Sequence, residues 1–221
     1  VAKDEADMIG FLLKRKATGK ASKFILQEFK AGVEIAVTGI FGPGGWQDAW
    51  AEGFEHKKLM DDDLGPNTGE MGTVIRYTKN SLLADMLLKP MEPLLHSIGY
   101  TGLLDVNCIV DENDGTPWPM EWTARPGYPM WCIQQPLHVG DPAQWMLDCV
   151  KGRNTLEVIE KTCVGVVICN SDFPWSKKPI ESYLDFPVIT DGADIDSIFP
   201  CEVKLTRTSK MIDGELVEDI P

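Results

Sequence analysis

The run Gly102-Leu-Leu-Asp105-Val-Asn107-Cys-Ile-Val110 is followed by Asp-Glu-Asn-Asp-Gly115 and then by Pro117-Trp-Pro-Met-Glu121-Trp-Thr123-Ala-Arg125-Pro. Two apolar stretches with so short a polar link read as strands paired with each other, and Asn113-Asp114-Gly115 tolerates the positive φ of a tight turn. A β-hairpin is predicted. Strand side chains alternate between faces, so Asp105 and Asn107 share one face of the first strand, while Glu121, Thr123 and Arg125 share one face of the second. Where those faces coincide, two carboxylates and a guanidinium meet in one cleft. Such a set suits Mg²⁺, a hard ion that takes oxygen ligands and shares them with phosphates. It equally suits paired-carboxylate sugar chemistry, or strand-end charges partnered by Arg125.

The remaining chain supplies a domain for this hairpin. Met8, Ile9, Leu12 and Leu13 recur at helical spacing, and Thr18-Gly19 breaks the pattern. Phe24-Ile-Leu-Gln27-Glu28-Phe29 predicts a buried strand running to Gly32. Val33 to Phe41 predicts another, with Glu34 as a lone charge. Gly42-Pro-Gly-Gly45 is a hairpin turn, and Trp46 to Phe54 is its expected return strand. Glu55 to Asp63 reads as a charged loop, and the breakers of Gly65 to Gly72 exclude regular structure there, before a short strand over Thr73 to Arg76. Backbone N–H groups of the Gly65 to Gly72 loop could cradle an anion, with Lys57 and Lys58 beside them; a plain surface loop is the simpler reading.

Ser81 can cap a helix with Leu82, Leu83, Met86 and Leu87 on its apolar side, kinked or restarted by Pro90 and Pro93. A further helix is marked by Asp141 at its cap, Pro142 in its first turn, Trp145, Met146, Cys149 and Val150 facing inward, and Gly152 after its end. From Cys163-Val-Gly-Val-Val-Ile168 onward, strands and turns predict a small antiparallel appendage, with turn signals at Asp185-Phe-Pro and Asp213-Gly214.

A length of 221 residues allows one large domain with an appendage, and 43% hydrophobic with 25% charged residues is ordinary globular composition. The net charge of -13 argues against a nucleic-acid partner, since backbone phosphates demand clustered Lys and Arg. Six cysteines without C-x-x-C spacing are expected to be free thiols. No apolar run is long enough for a bilayer and no signal peptide opens the chain, so a cytoplasmic protein without a membrane partner is expected.

The run Glu55-His-Lys-Lys-Leu-Met-Asp-Asp-Asp-Leu-Gly-Pro-Asn-Thr-Gly-Glu-Met-Gly72 closely resembles the signature of the phosphoribosylamine–glycine ligase family, ATP-grasp enzymes of purine biosynthesis. In the family's order stand Gln27-Glu28-Phe29-Lys-Ala-Gly32-Val-Glu34, Gly99-Tyr-Thr-Gly102, Met120-Glu121-Trp-Thr-Ala-Arg125-Pro-Gly127 and Gln135-Pro136. The resemblance covers most of residues 24–175. It implies an α+β fold: residues 24–160 as the ATP-grasp C-terminal lobe, a mostly antiparallel sheet flanked by helices, with 1–23 the remnant of a preceding small lobe and 161–221 a small β-rich domain.

By the same resemblance the reaction joins a carboxylate, glycine or a similar acid, to an amine such as phosphoribosylamine through an acyl phosphate. The expected cofactors are ATP and Mg²⁺ or Mn²⁺, and the partners are small-molecule substrates. Gln27, Glu28, Phe29, Lys30, Glu34 and Lys57 would bind ATP. Asn67, Thr68, Gly69 and Arg125 would meet substrate, Arg125 being also catalytic, and Asp105, Glu121 and Thr123 would hold metal. Thr123 stands where the family carries Asn, Asp105 where it tends to lack a carboxylate, Glu70 where it has glycine, and Tyr128 and Met130 where it has acidic residues. Since the family has a longer N-terminal part, a fragment or split chain is expected, inactive alone, with the missing lobe supplied by another chain. The rival expectations are a non-catalytic nucleotide-binding module and an ATP-grasp ligase of different substrate.

Overall fold

The computed structural model describes residues 2, 4–19, 23–170, 173–174, 195–201, 203, 208–212 and 215–219. The turn signals at Asp185-Phe-Pro and Asp213-Gly214 lie outside them. Helix α1 (Glu5–Ala17) follows the predicted spacing. The Asp4 side chain caps it by accepting the Asp7 N–H at 2.8 Å, while Lys14, Arg15 and Lys16 occupy its last turn, where cations complement the helix dipole. None of its residues is buried.

Strand β1 (Val33–Gly42) turns at Pro43-Gly44 into β2 (Gly45–Trp46), and β3 (Trp50–Lys58) and β4 (Asn67–Thr78) follow. A π-helical turn (Ala84–Leu88) and a 3₁₀ turn (Lys89–Met91) lead into α2 (Glu92–Ser97). The hairpin β5 (Gly102–Val110) and β6 (Pro117–Thr123) comes next, then α3 (Met130–Gln134), α4 (Pro142–Val150) and β7 (Thr162–Val166). Strands β8 (Thr208–Ile212) and β9 (Glu215–Asp219) form a separate two-stranded sheet. The main sheet runs β6-β5-β1-β3-β4-β7 with β2 on the end of β1, and every pair is antiparallel. No helix among the described residues is long and apolar enough to cross a membrane.

Several expectations need correction. The stretch from Phe24 to Gly32 is neither strand nor buried, with Ile25 85% exposed and Phe24, Leu26 and Phe29 also facing solvent. A strand is defined by a backbone ladder, and beside the edge strand β6 the segment makes a side-chain contact instead, Gln27 Nε2 to Met120 O. Glu55 to Lys58 belong to β3 and Asn67 to Gly72 to β4, although breakers seemed to exclude structure there. The breaks concentrate in the tip between them, where Asp62, Asp63 and Gly65 take positive φ. From His56↔Gly72 to Lys58↔Asn67, β3 advances two residues while β4 spans five, so a bulge absorbs the surplus.

After Ser81, whose hydroxyl accepts the Ala84 N–H at 3.0 Å, the fully buried residues are Ala84 and Leu88; Leu82 and Met86 are exposed. Pro90 has no N–H to offer the carbonyl four residues back, and the Lys89 N–H bonds Ala84 O five back, widening the turn and rotating its apolar side. In α4, Trp145 and Cys149 are buried as predicted but Val150 is exposed.

Each face of the sheet carries its own core. Val37, Phe41, Trp50, Leu104 and Val106 pack against Ala84, Leu88 and Leu95. On the other face Ala36, Ile40, Ala51, Ile75 and Tyr77 pack beneath Met130, Leu137, Trp145 and Cys149. Gly42 permits close seating of α4, since a Cβ there would meet Cys149 O at 2.5 Å. Asp141 starts that helix by accepting the Ala143 N–H at 2.9 Å. Asp141→Ala is expected to lower stability by about 1 kcal/mol, read as an earlier urea midpoint at unchanged slope.

Candidate functional site

The α3–α4 layer covers only one end of its face of the sheet. Beyond Ile75 and Ala51, and across β1 towards β5 and β6, the same face turns polar, because inward positions carry Glu34 and Thr38 on β1, Glu55 and Lys57 on β3, Thr73 on β4, Asp105 and Asn107 on β5, and Glu121 and Thr123 on β6. The predicted hairpin thus brings its acids to one face. Asp105 lies opposite Thr123 and Asn107 opposite Glu121, which makes Asp105 and Glu121 diagonal neighbours. A bulge follows, where Asn107↔Glu121 gives way to Cys108↔Pro119 and Met120 is the surplus residue.

Asp105 is buried, and its Oδ2 accepts the Thr38 hydroxyl at 2.6 Å. Burial pushes its pKa up to about 6, with Glu55 and Glu121 adding to the shift and the Thr38 hydrogen bond opposing it. Glu70, turned inward by the β4 bulge, is pushed up to about 8, first by burial and then by the Glu55 and Asp105 charges. Burial also raises Glu55, against the pull of Lys57. Burial lowers Lys57, but its contacts with Glu34 and Glu55 outweigh that and raise it; it ion-pairs with Glu34 and reaches Glu55 at 3.4 Å. Buried Asn107 Oδ1, Glu70 Oε1 and Thr73 Oγ1 have no hydrogen-bond partner.

The expected nucleotide-binding segment passes beside β6. Gln27 Nε2 donates to Met120 O at 3.3 Å, Lys30 pairs with Glu28 at 3.0 Å, and the Lys30 ammonium sits 4.2 Å from the centre of the Trp118 ring. Phe29 is exposed. Thr68 donates its hydroxyl to Lys57 O at 2.9 Å, Asn67 pairs with Lys58, and Gly69 is exposed. Arg125 lies past the end of β6, exposed, with its guanidinium donating to Pro126 O at 2.9 Å. It is not hydrogen-bonded to the carboxylates. A cavity of about 520 Å³ beside the β1–β2 turn, lined by Trp46, Trp50, Lys79 and Lys89, belongs to the opposite face.

Sequence reasoning missed Glu55, Glu70, Thr73 and Thr38 as members of this face. Glu55 had a signal in the alternation Gly53, Glu55, Lys57, which is that of a strand. Glu70 had none, since its orientation depends on the bulge.

Comparison with known proteins adds a further finding. Residues 2–130 match the profile described as phosphoribosylglycinamide synthetase, ATP-grasp (A) domain. The phosphoribosylamine–glycine ligase of Lactococcus lactis subsp. lactis is 28% identical over 188 residues, covering 80% of this chain and 44% of that protein. That of Streptococcus pyogenes serotype M1 is 28% identical over 210 residues, covering 91% and 48%. The crystal structure of the Thermotoga maritima phosphoribosylamine–glycine ligase superposes with a TM-score of 0.51 at 25% identity, covering 67% of this chain and 39% of that one. The chain spans less than half the length of these relatives.

Proposed function

Since the chain belongs to the phosphoribosylglycinamide synthetase ATP-grasp family, we propose that it supplies the nucleotide- and metal-binding lobe of a cytoplasmic ATP-dependent carboxylate–amine ligase, acting on glycine or a similar acid. The observation that carries this reading is the polar half of the sheet face, where Asp105, Asn107 and Glu121 converge beside the Lys57 ion pairs.

These residues fit Mg²⁺. The ion takes hard oxygen donors, commonly one or two carboxylates with phosphate oxygens and water completing the shell. Asp105 and Glu121 supply the carboxylates, and the unpartnered Asn107 Oδ1 is a third oxygen opposite Glu121. Thr123, opposite Asp105, is the remaining candidate. Bound there, the ion would neutralise phosphate charge during transfer.

Gln27 to Lys30 would line the base, with backbone groups free to hydrogen-bond it. Glu34 would hold the ribose hydroxyls and Lys57 the phosphates, once their mutual ion pair opens. In the first step a substrate carboxylate oxygen takes the γ-phosphoryl group and ADP leaves. In the second, an amine nitrogen such as that of phosphoribosylamine attacks the acyl carbon and inorganic phosphate leaves, giving an amide. Asn67, Thr68 and Gly69 would meet the substrates. Arg125 would steady the charge on the transferring group after releasing Pro126 O.

The test is calorimetric titration of the chain with ATP, with Mg²⁺ and again in EDTA. Affinity is expected to fall at least tenfold without the ion; equal affinities sink the metal assignment. Nucleotide binding without ligation is a second reading, favoured by the exposure of residues 24–29 and the outward Arg125. Phosphate release on adding glycine and phosphoribosylamine, with any further lobe present, separates the two.

A further inference from the structure

From residue 23 to residue 33 every residue is exposed except Lys30. Its side chain is 24% exposed, and its ammonium sits 4.2 Å from the centre of the Trp118 ring. The ion pair with Glu28 does not account for this seat, because Glu28 is 79% exposed and a pair in solvent holds a side chain weakly. The indole does: its face attracts the cation, and the apolar stem of the lysine packs on it.

Trp118 lies on the polar face of the sheet. It stands opposite Ile109, which continues the alternation of Asp105 and Asn107 along β5, and Ile109 stands opposite Glu34 on β1. Two inter-strand spacings put Trp118 on the order of 10 Å from Glu34. Residues 27–32 touch the sheet at two further points. Gln27 Nε2 donates at 3.3 Å to the carbonyl of Met120, the surplus residue of the β6 bulge. At Gly32, with φ +150°, a Cβ would meet Val110 O at 2.1 Å, so only glycine lets the chain cross the end of β5. Between those points the contact of Lys30 with Trp118 holds the segment, and no backbone hydrogen bond to the sheet assists it among the described residues.

We propose that Trp118 is a positioning residue of the nucleotide site: by holding the Lys30 ammonium it seats residues 27–30 beside β6, where their backbone meets the base. This deepens the proposed function and rests on it for the identity of the ligand. A loose segment has to be ordered by each incoming nucleotide, and seating it beforehand removes that cost. The effect is confined to the base, because Glu34, Lys57, Asp105 and Glu121 are placed by the sheet itself.

The experiment compares calorimetric titrations with Mg·ATP and with Mg·tripolyphosphate, which carries the phosphates and lacks the base. Trp118→Ala and Lys30→Met are each expected to weaken Mg·ATP about fivefold, the double variant no more than either alone, and tripolyphosphate affinity is expected to stay unchanged. Trp118→Phe keeps a ring under the ammonium and is expected to restore most of the Mg·ATP affinity. Without nucleotide, the steady-state ¹H–¹⁵N nuclear Overhauser effects of amides 27–30 are expected to fall in Trp118→Ala and to persist in Trp118→Phe. Overhauser effects in Trp118→Ala equal to the parent's overturn the proposal. So does a loss for Lys30→Met that Trp118→Ala does not share, since Lys30 would then act on the nucleotide directly, and so does an equal loss of tripolyphosphate, which would mark general loosening. A parent chain that binds neither ligand sinks the proposed function instead, and the Overhauser comparison still decides whether Trp118 holds the segment.

Discussion

Glu121→Ala is expected to weaken Mg·ATP binding by about a hundredfold, on the order of 2.7 kcal/mol. Glu121 and Asp105 are diagonal neighbours across β5 and β6, and diagonal positions lie roughly 7–8 Å apart. Two carboxylate arms close that gap from opposite sides around a small cation. Removing one arm leaves Asp105 with the Thr38 hydroxyl, in a buried setting that already raises its pKa to about 6 and so favours protonation over metal binding. Asp105→Asn is expected to act in the same direction. Thr123→Val should act much less, because a neutral hydroxyl contributes little to binding a hard dication. Calorimetry on the three variants checks the order, with Glu112→Ala in the exposed hairpin turn as control. Mg·ATP affinity for Glu121→Ala within threefold of the parent would remove Glu121 from the site.

The β5–β6 hairpin and the lone charge of Glu34 were legible because both are local patterns: alternation along a strand, a turn that suits positive φ, one acid among β-branched residues. What failed was decided by partners. Residues 24–29 have strand composition but join no ladder, although Gln27 reaches Met120 O of β6 through its side chain. The run from Asn67 to Gly72 has turn composition, yet the β3–β4 ladder overrides it and stores the surplus residues as a bulge. Reading Glu55 to Asp63 as a loop hid Glu55, since a residue assigned to a loop carries no face, and Glu70 stayed hidden because the bulge sets its orientation. Arg125 shows the opposite limit: sequence spacing puts it on the face of Glu121, but the strand ends at Thr123 and alternation ends with it.

Glu70→Gln is expected to stabilise the chain at pH 8 by about 2 kcal/mol, raising the thermal midpoint by roughly 4–8 °C. The folded chain raises the Glu70 pKa from 4.5 to about 8, so the unfolded state releases a proton in that interval that the folded state keeps. The penalty is absent below pH 4.5, grows as pH rises, and is complete above 8, at most about 1.4 kcal/mol per pH unit. Relaxation and water entry around a buried carboxylate reduce the effect to the smaller figure. Asp105, raised from 3.8 to about 6, has the same sign at lower pH. His138 has the opposite sign. Burial lowers its pKa from 6.5 to about 4, so the unfolded state gains a proton below 6.5 that the folded ring beside Tyr77 does not take, and stability falls as pH drops through that window. Between pH 4.5 and 6.5 the histidine and carboxyl effects oppose one another. From 6.5 to 8 the His138 effect is spent and Glu70 still titrates, so the parent chain is expected to lose stability there while Glu70→Gln stays nearly flat. Urea unfolding at pH 6.5 and 8 decides it, and parallel pH dependence in the two proteins would show that Glu70 is not the group responsible.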